Sequence, residues 1–223
     1  MEAFARAVSL GYRDIETDVH ATGDGVAVLH HDPTLERMTG DPRAIAGMDW
    51  ADLARIRTHG GAAIPRVAEA LEAFPEVRFV LELKADRSAE ALAPVIRGAL
   101  DRVAVGGFEP SHVAEARARL GEGLLWSPGR RGVLAFWLRA WGLPLPRPEF
   151  GVLHVPPVYG RVPVVTRRFV RAAARHGVAV QVWTVDEASE MERLLDIGVH
   201  GVMTDRPSLL REVMRRRGQW RDP

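Results

Sequence analysis

From Glu2 to Arg217 the sequence alternates between short runs rich in Val, Ile and Leu and longer stretches with helical spacing, which constrains the fold more than any other feature. Such alternation predicts a parallel sheet covered by helices. The pattern predicts helices over Glu2–Leu10, Trp50–Ile56, Arg66–Phe74, Ala89–Arg102, Pro110–Leu120, Thr166–His176, Asp186–Ile197 and Pro207–Arg217. Strands are predicted over Arg13–His20, Val26–Asp32, Arg78–Lys84, Val103–Phe108, Gly123–Trp126, Val152–Val155, Val178–Val185 and Gly201–Thr204. One pair cannot be parallel. Only the residues from His20 to Gly25 separate Val19 from Val26, and a parallel crossover needs a dozen or more, so the first two strands form an antiparallel hairpin. Seven strands remain for a parallel barrel of the (β/α)8 type. The chain starts inside a helix, so the expectation is a single α/β barrel domain over residues 1–223 without its first barrel strand, carrying a small hairpin and an insertion near residues 127–150. An open doubly wound sheet is the alternative, against which stands the lack of a glycine-rich phosphate loop after an early strand.

Charged residues interrupt these strands in a pattern. The stretch DIETDVHATGDGVAVLHHD, Asp14–Asp32, sets acids and histidines into otherwise apolar runs. Side chains alternate across a strand, so Glu16 and Asp18 share one face, as do Glu82 and Lys84 in RFVLELK. Both pairs fall near the C-terminal ends of their strands, where barrels carry their active sites. Three carboxylates and no cysteine suit a hard, oxygen-preferring cation, Ca²⁺ or Mg²⁺. Buried pairing of Glu16 or Asp18 with arginines is the competing explanation. His31, followed by Asp32, suits proton transfer near neutral pH; His20, His30, His59, His112, His154, His176 and His200 read as surface or wall residues. A cation, Lys84 and His31 at a barrel mouth point to an anionic phosphate ester as substrate.

Other classes are disfavoured. The net charge of +1 calls for no nucleic-acid partner, and no apolar stretch reaches the roughly 18 residues of a membrane span. Without a signal peptide, the expected location is cytoplasmic. Residues Arg130–Phe150, RRGVLAFWLRAWGLPLPRPEF, are amphipathic. Two readings stay open: weak membrane-surface contact through residues 133–145, which would suit lysophospholipid substrates, or a barrel-covering loop whose aromatics pack inward.

The chain resembles the glycerophosphodiester phosphodiesterase family. The resemblance lies in MEAFARAVSLGYRDIETDV, the T-x-D-G of Thr22–Gly25, HDPTLERMTG, LELK at Leu81–Lys84, WTVDE at Trp183–Glu187 and GVMTDRP at Gly201–Pro207. It implies an eight-stranded α/β barrel that hydrolyses glycerophosphodiesters to an alcohol and sn-glycerol 3-phosphate with a divalent cation. It further implies Glu16, Asp18 and Glu82 as metal ligands, His31 as the acid protonating the leaving alkoxide, Lys84 as a phosphate contact and Trp183 as a pocket wall. For Trp183, plain core packing is the alternative. The family opens with a His-Arg-Gly strand and a Pro-Glu-Asn turn, which this sequence lacks. A start codon placed one strand late, or a truncation, is the expected explanation; a non-catalytic binder of phosphodiesters or lipid competes with it. Gly106-Gly107-Phe108 also departs from relatives that carry a serine before the phenylalanine.

Overall fold

The computed structural model describes residues 1–220 and divides into two compact units. The first comprises Met1 and Arg13–Leu125; the second comprises Glu2–Tyr12 and the chain from Trp126 onward. Helix α1 (Glu2–Ser9) therefore groups with the C-terminal half, where the Tyr12 hydroxyl donates to the Pro207 carbonyl at 2.6 Å.

In the first unit, β1 (Asp14–Ala21) turns back into β2 (Ala27–Leu29). The pair is antiparallel, with Val19 opposite Leu29, as the short connection requires. The T-x-D-G motif builds this turn. Thr22 Oγ1 donates to Asp24 at 2.5 Å and accepts from the Val26 amide at 2.8 Å, while Gly25 takes φ 84°. Asp24 also accepts from the Trp50 amide at 3.0 Å, and Gly23 N–H donates to the Met48 carbonyl at 2.7 Å, tying the turn to the following segment. That segment carries α2 (Glu36–Thr39) and α3 (Trp50–Leu53), and closes its own small core of Val28, Leu35, Ile45, Met48, Leu53 and Ile64.

Beyond α4 (Val67–Ala73) come β3 (Arg78–Leu83), α5 (Ser88–Ile96), β4 (Val103–Gly106), α6 (Pro110–Leu120) and β5 (Leu125–Trp126). Strand order is β2-β1-β3-β4-β5, with β1, β3 and β4 mutually parallel. Phe79, Leu81 and Leu83 alternate with Val80 and Glu82 and are buried, as are Ala89, Leu92 and Ile96 of α5, which packs on β1. Helix α5 stops well before Arg102, where the spacing predicted its end. Pro94 removes a backbone donor, Gly98 follows the last turn, and Leu100–Arg102 is a separate 3₁₀ turn.

In the second unit, α7 (Arg130–Ala140) leads to β6 (Val152–Val155) and a hairpin of β7 (Val158–Tyr159) and β8 (Val162–Pro163). Then follow α8 (Arg167–Arg175), β9 (Ala179–Val182), α9 (Ala188–Ile197), β10 (Gly201–Val202) and α10 (Pro207–Arg216). Strands β6, β9 and β10 form a parallel sheet in the order β10-β9-β6. Thr166 caps α8 by accepting from the Phe169 amide at 3.2 Å. Phe136, Leu153, Phe169, Val180, Met191 and Leu194 anchor the core beneath. Helix α7 lies within the amphipathic insertion, where the spacing predicted no helix. Gly132 in its first turn lowers the local helical signal, yet a Cβ there would overlap the ring of Pro128. The architecture is thus α/β with parallel sheets, and among the described residues the hydrogen-bonded ladders form separate sheets and no closed ring.

Candidate active site

The parallel register of β1 and β3 builds the site. Asp18 stands directly opposite Glu82, and Glu16 opposite Val80, so all three acids project from one sheet face. One carboxylate oxygen from each of Glu16, Asp18 and Glu82 lies within 4.8 Å of the others. Like charges directly across a sheet are destabilising. Lys84, just past the end of β3, answers this: its Nζ donates to Glu82 Oε1 at 2.5 Å and lies 3.0 Å from Asp18 Oδ1. Its side chain is only 18% exposed, and the Phe108 ring centroid sits 5.5 Å from Nζ. Burial by itself pushes the Lys84 ammonium down, but the Glu82 hydrogen bond and the Asp18 and Glu82 charges outweigh it, so its pKa is raised.

Three carboxylates and one ammonium sum to −2. That residual charge, carried entirely by oxygen donors, fits a divalent hard cation. The 4.8 Å bound on the donor spacing also falls inside the span of about 5.2 Å across a calcium ion at ordinary Ca–O lengths. On β4, Gly106 pairs with Glu82 and adds no side chain there.

His31 follows the end of β2, beside β1, where the His30 amide donates to the Asp18 carbonyl at 3.0 Å. The ring is 64% exposed, and its Nδ1 meets Asp32 Oδ1 at 2.7 Å. Arg37 binds the other Asp32 oxygen at 2.5 Å. The Arg37 hydrogen bond, followed by that of His31, holds the Asp32 carboxyl well below the usual carboxylate range. An ionised carboxylate only accepts, so the Nδ1 of His31 carries a proton and Nε2 faces away from Asp32 on the other side of the ring. His20, His30 and His112 are buried, which excludes the surface and leaves the wall among the two places the sequence reading gave them. Burial lowers the His20 pKa despite the hydrogen bond between its Nε2 and the His31 carbonyl, 3.2 Å away.

Trp183 belongs to the second unit, just after β9, where its amide donates to the Val155 carbonyl at 3.1 Å. There the structure brings together a pair that the sequence reading left apart. His154 and Gln181 face each other across β6 and β9, and Gly201 lies next in register on β10. The His154 Nε2 and Gln181 Oε1 atoms are buried without a hydrogen-bond partner. Burial takes the His154 pKa down to about 4, against a smaller upward pull from Gln181. The available signal was the alternation itself, since VLHV and AVQV each set one polar residue among apolar ones.

A parallel α/β scaffold with acids at the ends of adjacent strands defines a TIM-barrel-like class of protein. Within that class, a sequence profile of the "Glycerophosphoryl diester phosphodiesterase family" matches residues 1–119 and 137–209, and the chain belongs to this family. It is 38% identical to "Probable glycerophosphodiester phosphodiesterase 2" of Mycobacterium tuberculosis, over 99% of this chain and 86% of that protein. Its fold is similar to that of a glycerophosphodiester phosphodiesterase of Agrobacterium tumefaciens (TM-score 0.80, 20% identity, 96% of this chain and 91% of the other). It is also similar to an Oleispira antarctica phosphodiesterase solved with its product sn-glycerol-3-phosphate (TM-score 0.74, 19% identity, 95% and 88% covered).

Proposed function

We propose that this chain hydrolyses glycerophosphodiesters to an alcohol and sn-glycerol 3-phosphate in a reaction that depends on a divalent cation held by Glu16, Asp18 and Glu82. The observation that carries the reading is the three-carboxylate cluster with Lys84 set into it. When bound, Ca²⁺ or Mg²⁺ would polarise the phosphoryl oxygens and offset the charge that develops on them. Lys84 contacts a phosphoryl oxygen, and its raised pKa keeps it cationic throughout the neutral range. As the oxygen of water bonds to phosphorus, its proton passing to solvent, the P–O bond to the alcohol breaks and the alkoxide takes a proton from His31 Nε2, while Asp32 holds the opposite ring nitrogen. Family membership supports the substrate class.

The test is release of sn-glycerol 3-phosphate from glycerophosphocholine by the purified chain. Activity should disappear with chelator, return with Ca²⁺ or Mg²⁺, and be lost in Glu82→Gln. Metal-independent turnover, or full activity in Glu82→Gln, would overturn the reading. A second reading, a phosphodiester binder without turnover, is favoured by the high exposure of His31. It predicts calorimetric uptake of metal and glycerophosphocholine with no product formed.

A further inference from the structure

Helices α7 and α8 enclose an open groove of about 720 Å³ within the second unit. Arg139, Arg167, Arg168, Arg171, Arg175 and His176 line it, together with small and apolar residues, and among the described residues no carboxylate does. Arg167, Arg171 and Arg175 recur every fourth residue and form one exposed stripe along α8, a helix with no acidic residue. Like charges at this spacing destabilise a helix.

Several arginines elsewhere on the protein are ion-paired, although Arg57, Arg97 and Arg102, like the groove arginines, donate to backbone carbonyls. Arg37, Arg43, Arg78, Arg119, Arg193 and Arg216 each pair with a carboxylate. Among the described residues, none of the five groove arginines does. Arg168 donates to the Ala140 carbonyl at 2.6 Å and Arg167 to that of Asp196 at 3.4 Å. Arg139 donates to the Leu145 carbonyl and, at 3.1 Å, to His176 Nε2. That last contact makes His176 Nε2 an acceptor, so the imidazole is neutral and the positive charge of the groove is all guanidinium.

An apolar rim adjoins this charge. On α7 and the turn after it, Leu134 is 56% exposed, Trp141 47% and Leu143 44%, although Phe136 of the same helix is buried in the core. Leu134 and Trp141 are seven residues apart, two helical turns on one face. The Arg168 guanidinium stacks over Trp141 at 4.8 Å, joining rim to groove. The Trp137 indole donates to the Pro163 carbonyl at 3.4 Å and brings the β7–β8 hairpin alongside, with exposed Val158, Tyr159 and Val162. Among the described residues no helix is long and apolar enough to cross a membrane.

We infer that the α7–α8 face docks the protein on the surface of anionic membranes, with lipid phosphates in the arginine groove and Leu134, Trp141 and Leu143 in the headgroup layer. The charge complementarity selects this occupant: guanidinium is a bidentate phosphate donor, and exposed tryptophan and leucine beside it match an interface that is ionic outside and apolar a few ångströms deeper. The inference goes beyond the hydrolase reading and needs no turnover.

The test is co-sedimentation of the full chain with vesicles of phosphatidylcholine alone or mixed with phosphatidylglycerol, without divalent metal. The chain should pellet with the anionic vesicles, release at high salt and stay in solution with phosphatidylcholine. An arginine near an anionic surface contributes about fivefold to affinity, so R167Q/R171Q/R175Q should bind on the order of 100-fold more weakly. L134S/W141S should also bind more weakly at unchanged groove charge. Melting curves of both variants monitor folding, and glycerophosphocholine turnover is read separately, so loss of docking and loss of hydrolysis are distinguishable. No pelleting of the unmodified chain, or equal pelleting of the folded triple variant, would overturn the inference. So would a groove in which inorganic phosphate raises the melting temperature while anionic vesicles do not bind, since the groove would then serve a soluble anion.

Discussion

Replacing Lys84 by methionine isolates the electrostatics of the acid cluster. The ammonium lies 2.5 Å from Glu82 and 3.0 Å from Asp18, and each contact is worth about 5–7 kcal/mol of bare Coulomb energy at an effective dielectric near 20. Desolvation offsets much of that, but methionine leaves two carboxylates facing each other in register with no counter-charge. Breaking a buried pair in this way costs about 3–5 kcal/mol. For a chain of this size, each kcal/mol moves the melting temperature by about 2–4 °C, so Lys84→Met should melt about 6–20 °C lower in chelator at pH 8. Added Ca²⁺ should recover part of the loss, because the variant cluster carries −3 rather than −2. The pH dependence has a definite sign. The folded pKa of Lys84 is raised above its ordinary 10.5, so its contribution is fully present below 10.5 and fades as pH rises through the higher folded value. Calorimetry from pH 7 to 11 should therefore show a constant gap between the two proteins that narrows only at the alkaline end. A variant melting within about 2 °C of the parent in chelator, less than the shift expected from 1 kcal/mol, would refute Lys84 as the counter-charge.

Three further outcomes are expected. His154 has a folded pKa of about 4 against an ordinary 6.5, so the unfolded chain takes up this proton first and stability falls between those values by up to about 3 kcal/mol; urea melts at pH 7 and 4.5 should show a smaller difference for His154→Gln, and an unchanged difference would contradict the assignment. Gly23→Ala would set a Cβ 3.2 Å from the Ala46 carbonyl oxygen and 3.3 Å from that of Met48; a loss of about 1–3 kcal/mol in denaturant unfolding is expected, and a neutral result would mean that the turn yields freely. His31→Ala should lower kcat on glycerophosphocholine by about 10²–10⁴-fold with a similar KM, and an unchanged kcat would remove His31 from the reaction.

The sequence by itself determined the elements whose causes are local. Alternating periodicities specified parallel α/β layers. The six residues from His20 to Gly25 admitted only an antiparallel hairpin, and Asp18 had to share a face with Glu16 because a strand repeats every second residue. Strand lengths were overestimated: β2 is Ala27–Leu29 where Val26–Asp32 was expected, because the chain leaves its ladder after Leu29 although β1 runs on to Asp14, and the residues' β-forming character does not record where that pairing stops. Helix α7 was hidden because Gly132 weakens local helical propensity, and only the nearby ring of Pro128 explains the glycine. The tertiary structure alone decided the register of β1 against β3, since their connection is too long for local rules to count residues across it. That register puts Glu82 opposite Asp18, lets Lys84 reach both acids, and turns two ordinary E-x-D and E-x-K patterns into one charged site. It likewise set His154 against Gln181 and gathered the arginines of α7 and α8 around one groove, because charges distant in sequence meet only when packing fixes which helix faces turn toward each other.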